Sequence, residues 1–259
     1  MTPEAGVAMN RILLETHEIA DGRAVLRDDR ADHIRGVLRA TAGDRLKVGV
    51  ADGPLGTAVV VRCDADTVEL ALELGGEAPP PWCDLILAMP RPRVFKRLLP
   101  QLAAMGVGRL WLVDAARVEK CYFGSHWLRP ENFRPLLLEG LMQAGTTHVP
   151  EVFVEPRLKE FVTQQLPALT AGADAFLAHP GDAAAELPAA ARPAGGRALL
   201  AVGPEGGWLD DELALFRAQG FRPLSLGRRI LRTDTACVSL LAVLARVYDQ
   251  AAAAPRDPQ

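Results

Sequence analysis

The chain has 259 residues, of which 49% are hydrophobic and 24% charged, and a formal net charge of −3. That length can bury a core in one large or two modest domains, and the balance is ordinary for a soluble globular protein. No uninterrupted apolar stretch reaches the roughly 18 residues of a membrane span, no basic segment before a long apolar core marks secretion, and the slight acidity argues against a chain that is basic throughout, the usual footprint of a nucleic-acid binder.

In chain order, residues 1–8 carry little pattern. From Arg11 to Leu74 the runs are short and strand-like: Arg45–Val50, Thr57–Arg62 and Thr67–Leu74 are β-branched or alternating segments separated by turn residues. Ala31–Arg39 interrupts them with a helical pattern in which Ile34, Val37 and Leu38 share a face. Several strands with one short helix predict a small barrel. Gly75 to Pro81 joins flexible glycine to stiff proline and predicts the boundary between domains at 9–76 and 82–250.

Beyond that boundary strands are expected at Asp84–Met89, Arg109–Val113, Glu151–Val154, Ala173–Ala178, Ala198–Val202 and Pro223–Leu226. Helical patterns cover Val94–Ala104, Glu131–Gln143, Leu158–Leu166, Asp210–Ala218 and Thr235–Tyr248. Asp210, Asp211 and Glu212 suit the positive end of a helix dipole, and Gly220 suits its end. The alternation predicts an α/β domain with a mostly parallel sheet. Ala183–Pro193 and Ala251–Gln259 are biased to alanine and proline and read as a loop and a frayed tail.

Local charge differs from the total. No acidic residue falls between Asp84 and Asp114, whereas Arg91, Arg93, Lys96, Arg97 and Arg109 do. Arg23 to Lys47 is also rich in base, diluted by Asp28, Asp29, Asp32 and Asp44. Such runs are either solvated faces or local phosphate-binding patches, which an acidic protein can carry. Cys63, Cys83, Cys121 and Cys237 are far apart and form no CxxC pair. They read as buried reduced thiols rather than metal ligands, which implies a cytosolic address.

Two segments are more specific. Gly203-Pro204-Glu205-Gly206-Gly207-Trp208 follows the apolar run Ala198–Val202, and Leu226-Gly227-Arg228-Arg229-Ile230-Leu231-Arg232-Thr233-Asp234-Thr235-Ala236 follows Pro223–Leu226. A loop leaving the carboxyl end of a buried parallel strand is where open α/β sheets bind ligands. Glycine lets a backbone approach the ligand closely. Neither loop is a GxGxxG dinucleotide fingerprint or a GxxxxGK[ST] phosphate loop.

This pair resembles the knotted-site signature of the SPOUT methyltransferases, and specifically the RsmE family, which methylates ring nitrogen 3 of a uridine in small-subunit ribosomal RNA. That family carries GPEGG and then LG-x-R-[IV]-LR-x-E-T-A, with Asp234 here in place of Glu. Its upstream His-Pro dipeptide is matched by His179-Pro180, after Phe176-Leu177-Ala178. The resemblance implies an N-terminal PUA-like RNA-binding β-barrel and a C-terminal SPOUT domain with a trefoil knot. It also implies S-adenosylmethionine as cofactor, small-subunit ribosomal RNA as partner, a cytoplasmic location and a homodimer. Met9-Asn10-Arg11 looks like the family's usual start.

Carried over from the family, the cofactor-binding positions are Leu177, His179, Gly203, Glu205, Gly206, Gly207, Leu226, Gly227, Ile230, Leu231 and Arg232. Catalysis falls to Arg232, for an anionic uracil oxygen or a phosphate, and to Asp234, either the base or a helix cap. His179 is either a base or structural, and Trp208 either packs on the loop or stacks a base. Arg228 and Arg229 are either RNA contacts or solvated. Arg11, Arg35, Arg39, Arg91, Arg93 and Arg97 are the RNA-binding candidates. Cys237, Leu240, Leu241, Leu244 and Val247 make an apolar stripe that suits either a dimer interface or a buried core helix.

The substrate end departs from the family pattern. Val94 and Gln101 stand where typical members have lysines, Ala104-Met105-Gly106-Val107 replaces E-L-G-V, and the run Met142–Pro150 keeps Gln143 and Pro150 but lacks the expected Glu and Arg. Alternatives to uridine methylation are therefore an inert RNA-binding assembly factor and a methyltransferase for another nucleotide.

Overall fold

Short alternating runs near the N-terminus build one sheet, and buried apolar runs after residue 80 build another. The computed structural model describes residues 11–180 and 196–253, which form two units divided between Pro79 and Pro80. The expectations for residues 1–8, for Ala183–Pro193 and for the tail beyond Ala253 lie outside the described residues.

In the first unit β1 (Ile12–Leu14), β2 (Ile19–Ala20), β3 (Arg23–Leu26), β4 (Arg45–Val50), β5 (Leu55–Cys63) and β6 (Val68–Gly76) pair in the order β1-β4-β5-β6-β3-β2. Only β1 with β4 is parallel. Ile12, Leu14, Leu26, Val48, Val60 and Leu70 pack with Ala31 and Ile34 of helix α1 (Asp29–Gly36). Register shifts at Leu55/Gly56 and Val60/Arg62 bend the long strands, and the expected barrel takes the form of a curled half-barrel. Gly56 is required there, because a Cβ would lie 2.3 Å from the Glu73 carbonyl oxygen.

Three expectations for this unit change. Asp28 caps α1 by accepting from the Arg30 amide at 3.0 Å, so the helix starts before Ala31 and ends at Gly36. Gly75 and Gly76 are not linker; they end β6, where Gly76 pairs with Leu55. Residues 138–149 belong to this unit rather than to the second. Thr147, fully buried, donates its hydroxyl to the Gly53 carbonyl at 2.7 Å, and its own carbonyl accepts from Asp52 N at 2.8 Å. The Arg11 guanidinium donates to the carbonyls of Val48 (2.6 Å), Gly56 (3.2 Å) and Gly145 (3.2 Å), satisfying backbone rather than presenting a free cation.

The second unit contains β7 (Cys83–Ala88), α2 (Pro92–Ala104), β8 (Val107–Val113), most of α3 (Pro130–Ala144), β9 (Glu151–Glu155), α4 (Leu158–Glu160), α5 (Leu166–Thr170), β10 (Ala173–Ala178), β11 (Arg197–Val202), α6 (Asp210–Ala218), β12 (Arg222–Leu224) and α7 (Thr233–Ala253). All its strand pairs are parallel, in the order β12-β10-β11-β7-β8-β9. Central β7 is buried along its whole length, as a strand with both faces covered must be. Pro92 opens α2 because its fixed φ and missing N–H suit a first turn. Between α4 and α5 the helical pattern runs through a π turn, Phe161–Gln165. Two 3₁₀ turns, Lys120–Gly124 and His126–Leu128, occupy a stretch the sequence left unassigned.

The stripe on α7 is core in this chain: Cys237, Leu240, Leu241 and Leu244 are buried, Val247 is half-buried, and the helix packs on β11. It therefore carries no argument for an interface. Tyr248, also buried, donates to Asp174 at 2.6 Å and ties the helix to β10. The cysteines divide as well. Cys83 and Cys237 are buried, and desolvation pushes both thiols up in pKa, so they stay protonated and unreactive; Cys63 is half-buried, and Cys121 is exposed against expectation.

Asp84, 4% exposed at its side chain, accepts from the Arg109 amide at 3.0 Å and guanidinium at 2.6 Å and also pairs with Arg197. These residues sit at or near the starts of β7, β8 and β11 and tie three strands together. Asp84→Ala leaves two arginines, only about a third exposed, without their counter-charge. We expect a loss of about 2–3 kcal/mol and a melting temperature lower by about 5–10 °C. A shift near zero in a thermal melt would remove the network from the stability argument.

Candidate active site

The three loops singled out from the sequence meet at the carboxyl edge of the parallel sheet. They leave β10, β11 and β12 and enclose a cavity of about 210 Å³. Its lining includes His179, Gly203, Glu205, Gly206, Gly207, Leu226, Gly227, Ile230 and Leu231, with Ala178, Ser225 and Thr233 beside them. β10 lies between β11 and β12, so the chain crosses β10 in passing from β11 to β12 and reverses direction across the sheet here, the position where α/β sheets open a crevice.

Backbone geometry explains the sequence of these loops. Gly207 and Gly227 have φ of 76° and 101°, the left-handed region that side chains disfavour. Gly207 N donates to Pro204 O at 2.8 Å, closing the first loop. A Cβ on Gly203 would lie 2.9 Å from the indole nitrogen of Trp208, which is 5% exposed and stacked obliquely on Phe216 at 5.0 Å. Trp208 therefore packs under the loop rather than presenting a free face. Its Nε1–H is buried and lacks a protein acceptor among the described residues. In the third loop, Gly227 N donates to Ser225 Oγ at 3.1 Å. His179 N donates to Leu224 O at 3.2 Å, a structural use of that residue's backbone.

A second cavity of about 400 Å³ adjoins the first and shares Glu205, Ile230 and Leu231 with it. Arg91, Val94 and Arg97 come from α2 and the turn before it, and Arg232 and Asp234 from the start of α7. Arg97 pairs with Asp234, and Arg91 Nε lies 3.4 Å from Glu205. Burial acts to raise the Asp234 carboxyl, but the Arg97 guanidinium and the Thr235 amide outweigh it and hold the group below its ordinary pKa. The Arg232 side chain is exposed and takes part in no ion pair or hydrogen bond among the described residues.

The sequence-derived positions are thus largely gathered, with exceptions. Leu177 is buried inside β10, one residue short of the cavity lining. Leu226 is loop, since β12 stops at Leu224. Arg232 lines the second cavity rather than the first. Arg91 and Arg97 are engaged with carboxylates, Arg35 pairs with Asp32, Arg39 is exposed at φ 52°, and Arg93 is exposed on α2. Sequence reasoning missed Arg117, which donates to the Gly206 carbonyl and lies 3.0 Å from where a Gly206 Cβ would stand. It also missed the second role of Glu212, buried and accepting from Ala116 N at 2.7 Å and Leu209 N at 2.8 Å. No local motif marks Arg117 or the Ala116 contact of Glu212, because Gly206 and Ala116 are distant from them in sequence.

Residues 77–245 match a family model described as an RNA methyltransferase domain. Over 249 residues the chain is 32% identical to a ribosomal RNA small subunit methyltransferase E of Treponema pallidum, covering 93% of this chain and 92% of that one. In structure it resembles a ribosomal RNA small subunit methyltransferase E of Neisseria gonorrhoeae solved bound to S-adenosyl methionine, with a TM-score of 0.72, 22% identity and coverage of 93% and 98%. It also resembles a putative methyltransferase of Legionella pneumophila in complex with the same cofactor, with a TM-score of 0.67, 24% identity and coverage of 91% and 97%. At those identities the two structural likenesses concern the fold.

Proposed function

This chain belongs to the ribosomal RNA small subunit methyltransferase E family, and on that premise we propose that it methylates ring nitrogen 3 of a uridine in small-subunit ribosomal RNA, using S-adenosylmethionine. The observation that carries the reading is the convergence of three loops, two of them glycine-bearing, on one cavity, with a second, arginine-lined cavity against it.

The first cavity fits the cofactor. Gly203, Gly206 and Gly207 keep side chains off the loop, and Trp208 Nε1 is a buried donor without a protein acceptor among the described residues. Backbone around His179, Gly203, Gly206, Leu226 and Gly227 would hold it. When bound, S-adenosylmethionine supplies an electrophilic methyl group on a sulfonium, whose C–S bonding pair stays with sulfur. The protein's own contribution is positioning and electrostatics. Arg232 is the second cavity's arginine without a side-chain partner among the described residues, and it faces the charge that grows on the uracil oxygens as N3 loses its proton. Asp234 and Glu205 are the carboxylates at the second cavity.

We further read the second unit as the knotted SPOUT arrangement, with the half-barrel as an RNA-holding module, and the chain as a cytoplasmic two-fold homodimer. Ile230, 85% exposed, and Leu226 and Leu231 beside it are apolar surface at the site that a second copy would cover. Light scattering should give a dimer mass at micromolar protein.

Incubating the purified protein with S-adenosylmethionine and unmodified small ribosomal subunits should place one methyl on a uridine. N3 lies on the pairing edge, so the modified nucleotide should stop reverse transcription. Methyl transfer to a different base would redirect the substrate assignment, and no transfer at all would favour an inert assembly factor.

A further inference from the structure

We infer that Arg97 and Asp234 are an exchangeable pair: an RNA phosphate entering the second cavity draws Arg97 away, and the released Asp234 carboxylate accepts the N3 proton of the target uridine. This rests on the reading above and assigns Arg97 a positioning role that no motif marks.

Three observations carry it. First, the partners are unequal. Arg97 is 58% exposed at its side chain and Asp234 only 14%, so the arginine is the arm that can move and the carboxylate is the fixed part. A pair whose arginine is exposed contributes little stability, and a phosphate competes for the guanidinium on favourable terms because it can accept two parallel hydrogen bonds where Asp234 accepts one from Arg97. Second, the pair stands on the cavity wall with Arg91, Arg232 and Glu205 as the other charged groups. Glu205 has its own arginine in Arg91, so Asp234 is the carboxylate whose freedom depends on Arg97. Third, the influences on Asp234 oppose one another. Burial raises its proton affinity, and Arg97 is the foremost influence that lowers it. Removing the guanidinium takes away that foremost influence and leaves burial opposed by backbone amides, so the carboxylate is a better proton acceptor than it is in the pair.

The proton balance is simple. The N3–H proton passes to Asp234, and the N–H bonding pair remains on N3 as the pair that bonds the incoming methyl carbon. Asp234 then loses the proton to water, and Arg97 returns when the RNA leaves.

The test uses the full chain and a labelled uridine-rich RNA oligonucleotide. Asp234→Asn should tighten RNA binding about two- to fivefold, because Arg97 is no longer held. Arg97→Gln should weaken binding and flatten the slope of log affinity against log salt by about one unit. Arg97→Lys should restore most of both. In the double variant the gain from Asp234→Asn should vanish. Calorimetric affinity for S-adenosylmethionine should be unchanged throughout, which also shows each variant folded. The inference is overturned if Asp234→Asn binds RNA no more tightly than the unmodified protein, or if its gain persists without Arg97. These arms need no turnover, so they stay readable if the protein methylates no small-subunit RNA, the separate result that defeats the functional reading. Where it does methylate, Asp234→Asn should slow single turnover at saturating RNA while binding tightens.

Discussion

Arg232→Ala is expected to lower the methylation rate at saturating RNA and cofactor by roughly 100- to 1000-fold, the usual effect of removing one group that stabilises developing charge. Arg232 lines the second cavity, is exposed, and makes no ion pair or hydrogen bond among the described residues. Neighbouring Arg91 and Arg97 are both committed to carboxylates. A cation kept free beside a reaction that creates an imide anion is most useful in the transition state, where the charge appears. Its loss should therefore fall on kcat, with RNA affinity reduced only by about one phosphate-like contact. Because the side chain supports no packing, the melting temperature should not move. Lysine at this position should recover part of the rate, since it keeps the charge but loses the planar fork. An unchanged single-turnover rate in Arg232→Ala would show that the catalytic pocket has been placed wrongly.

Gly203→Ala should weaken S-adenosylmethionine binding by about ten- to a hundredfold. The added methyl would stand 2.9 to 3.0 Å from three atoms of the Trp208 indole, which is rigid, buried and fixed against Phe216. Either the ring or the loop must shift, and overpacking of this kind costs about 1–3 kcal/mol. The loop is the softer of the two, and its backbone is what lines the cavity. Gly207→Trp should abolish binding by another route, since φ there is 76° and the bulky side chain starts at the cavity wall. A double variant, Gly203→Ala with Trp208→Ala, separates steric conflict from a direct ligand contact. If the clash is the cause, the second change restores part of the affinity lost in the first. Calorimetry that finds Gly203→Ala binding like the unmodified protein would exclude this account of the loop.

Much of the molecule was legible as sequence because its signals are local. The apolar runs of β7 and β11 need no partner to be read as buried parallel strands. The Asp-rich start and glycine end of α6 fix that helix to the residue, Asp210–Ala218. The glycines of the two loops signal positive φ and close approach; the first appears at Gly207 and Gly227 and the second at Gly203 and Gly206. What depended on distant partners was not legible. Arg91 and Arg97 read as phosphate contacts because their sequence neighbours are basic; that they also face carboxylates could not be read, since Glu205 and Asp234 lie more than a hundred positions away. Arg11 read as an RNA-binding candidate, and its donation to carbonyls of two strands and of the 138–149 segment was equally hidden in the sequence. The stripe on α7 suited a core or an interface equally, and only its packing on β11 showed which of them this chain uses. Residue type, spacing and turn chemistry thus determined the strands, the helices and the cofactor loops, since those follow from interactions within a few residues. The tertiary structure alone decided which charges are free and which are spent, because the energy of a charge is set by what faces it in space and by how much water remains around it.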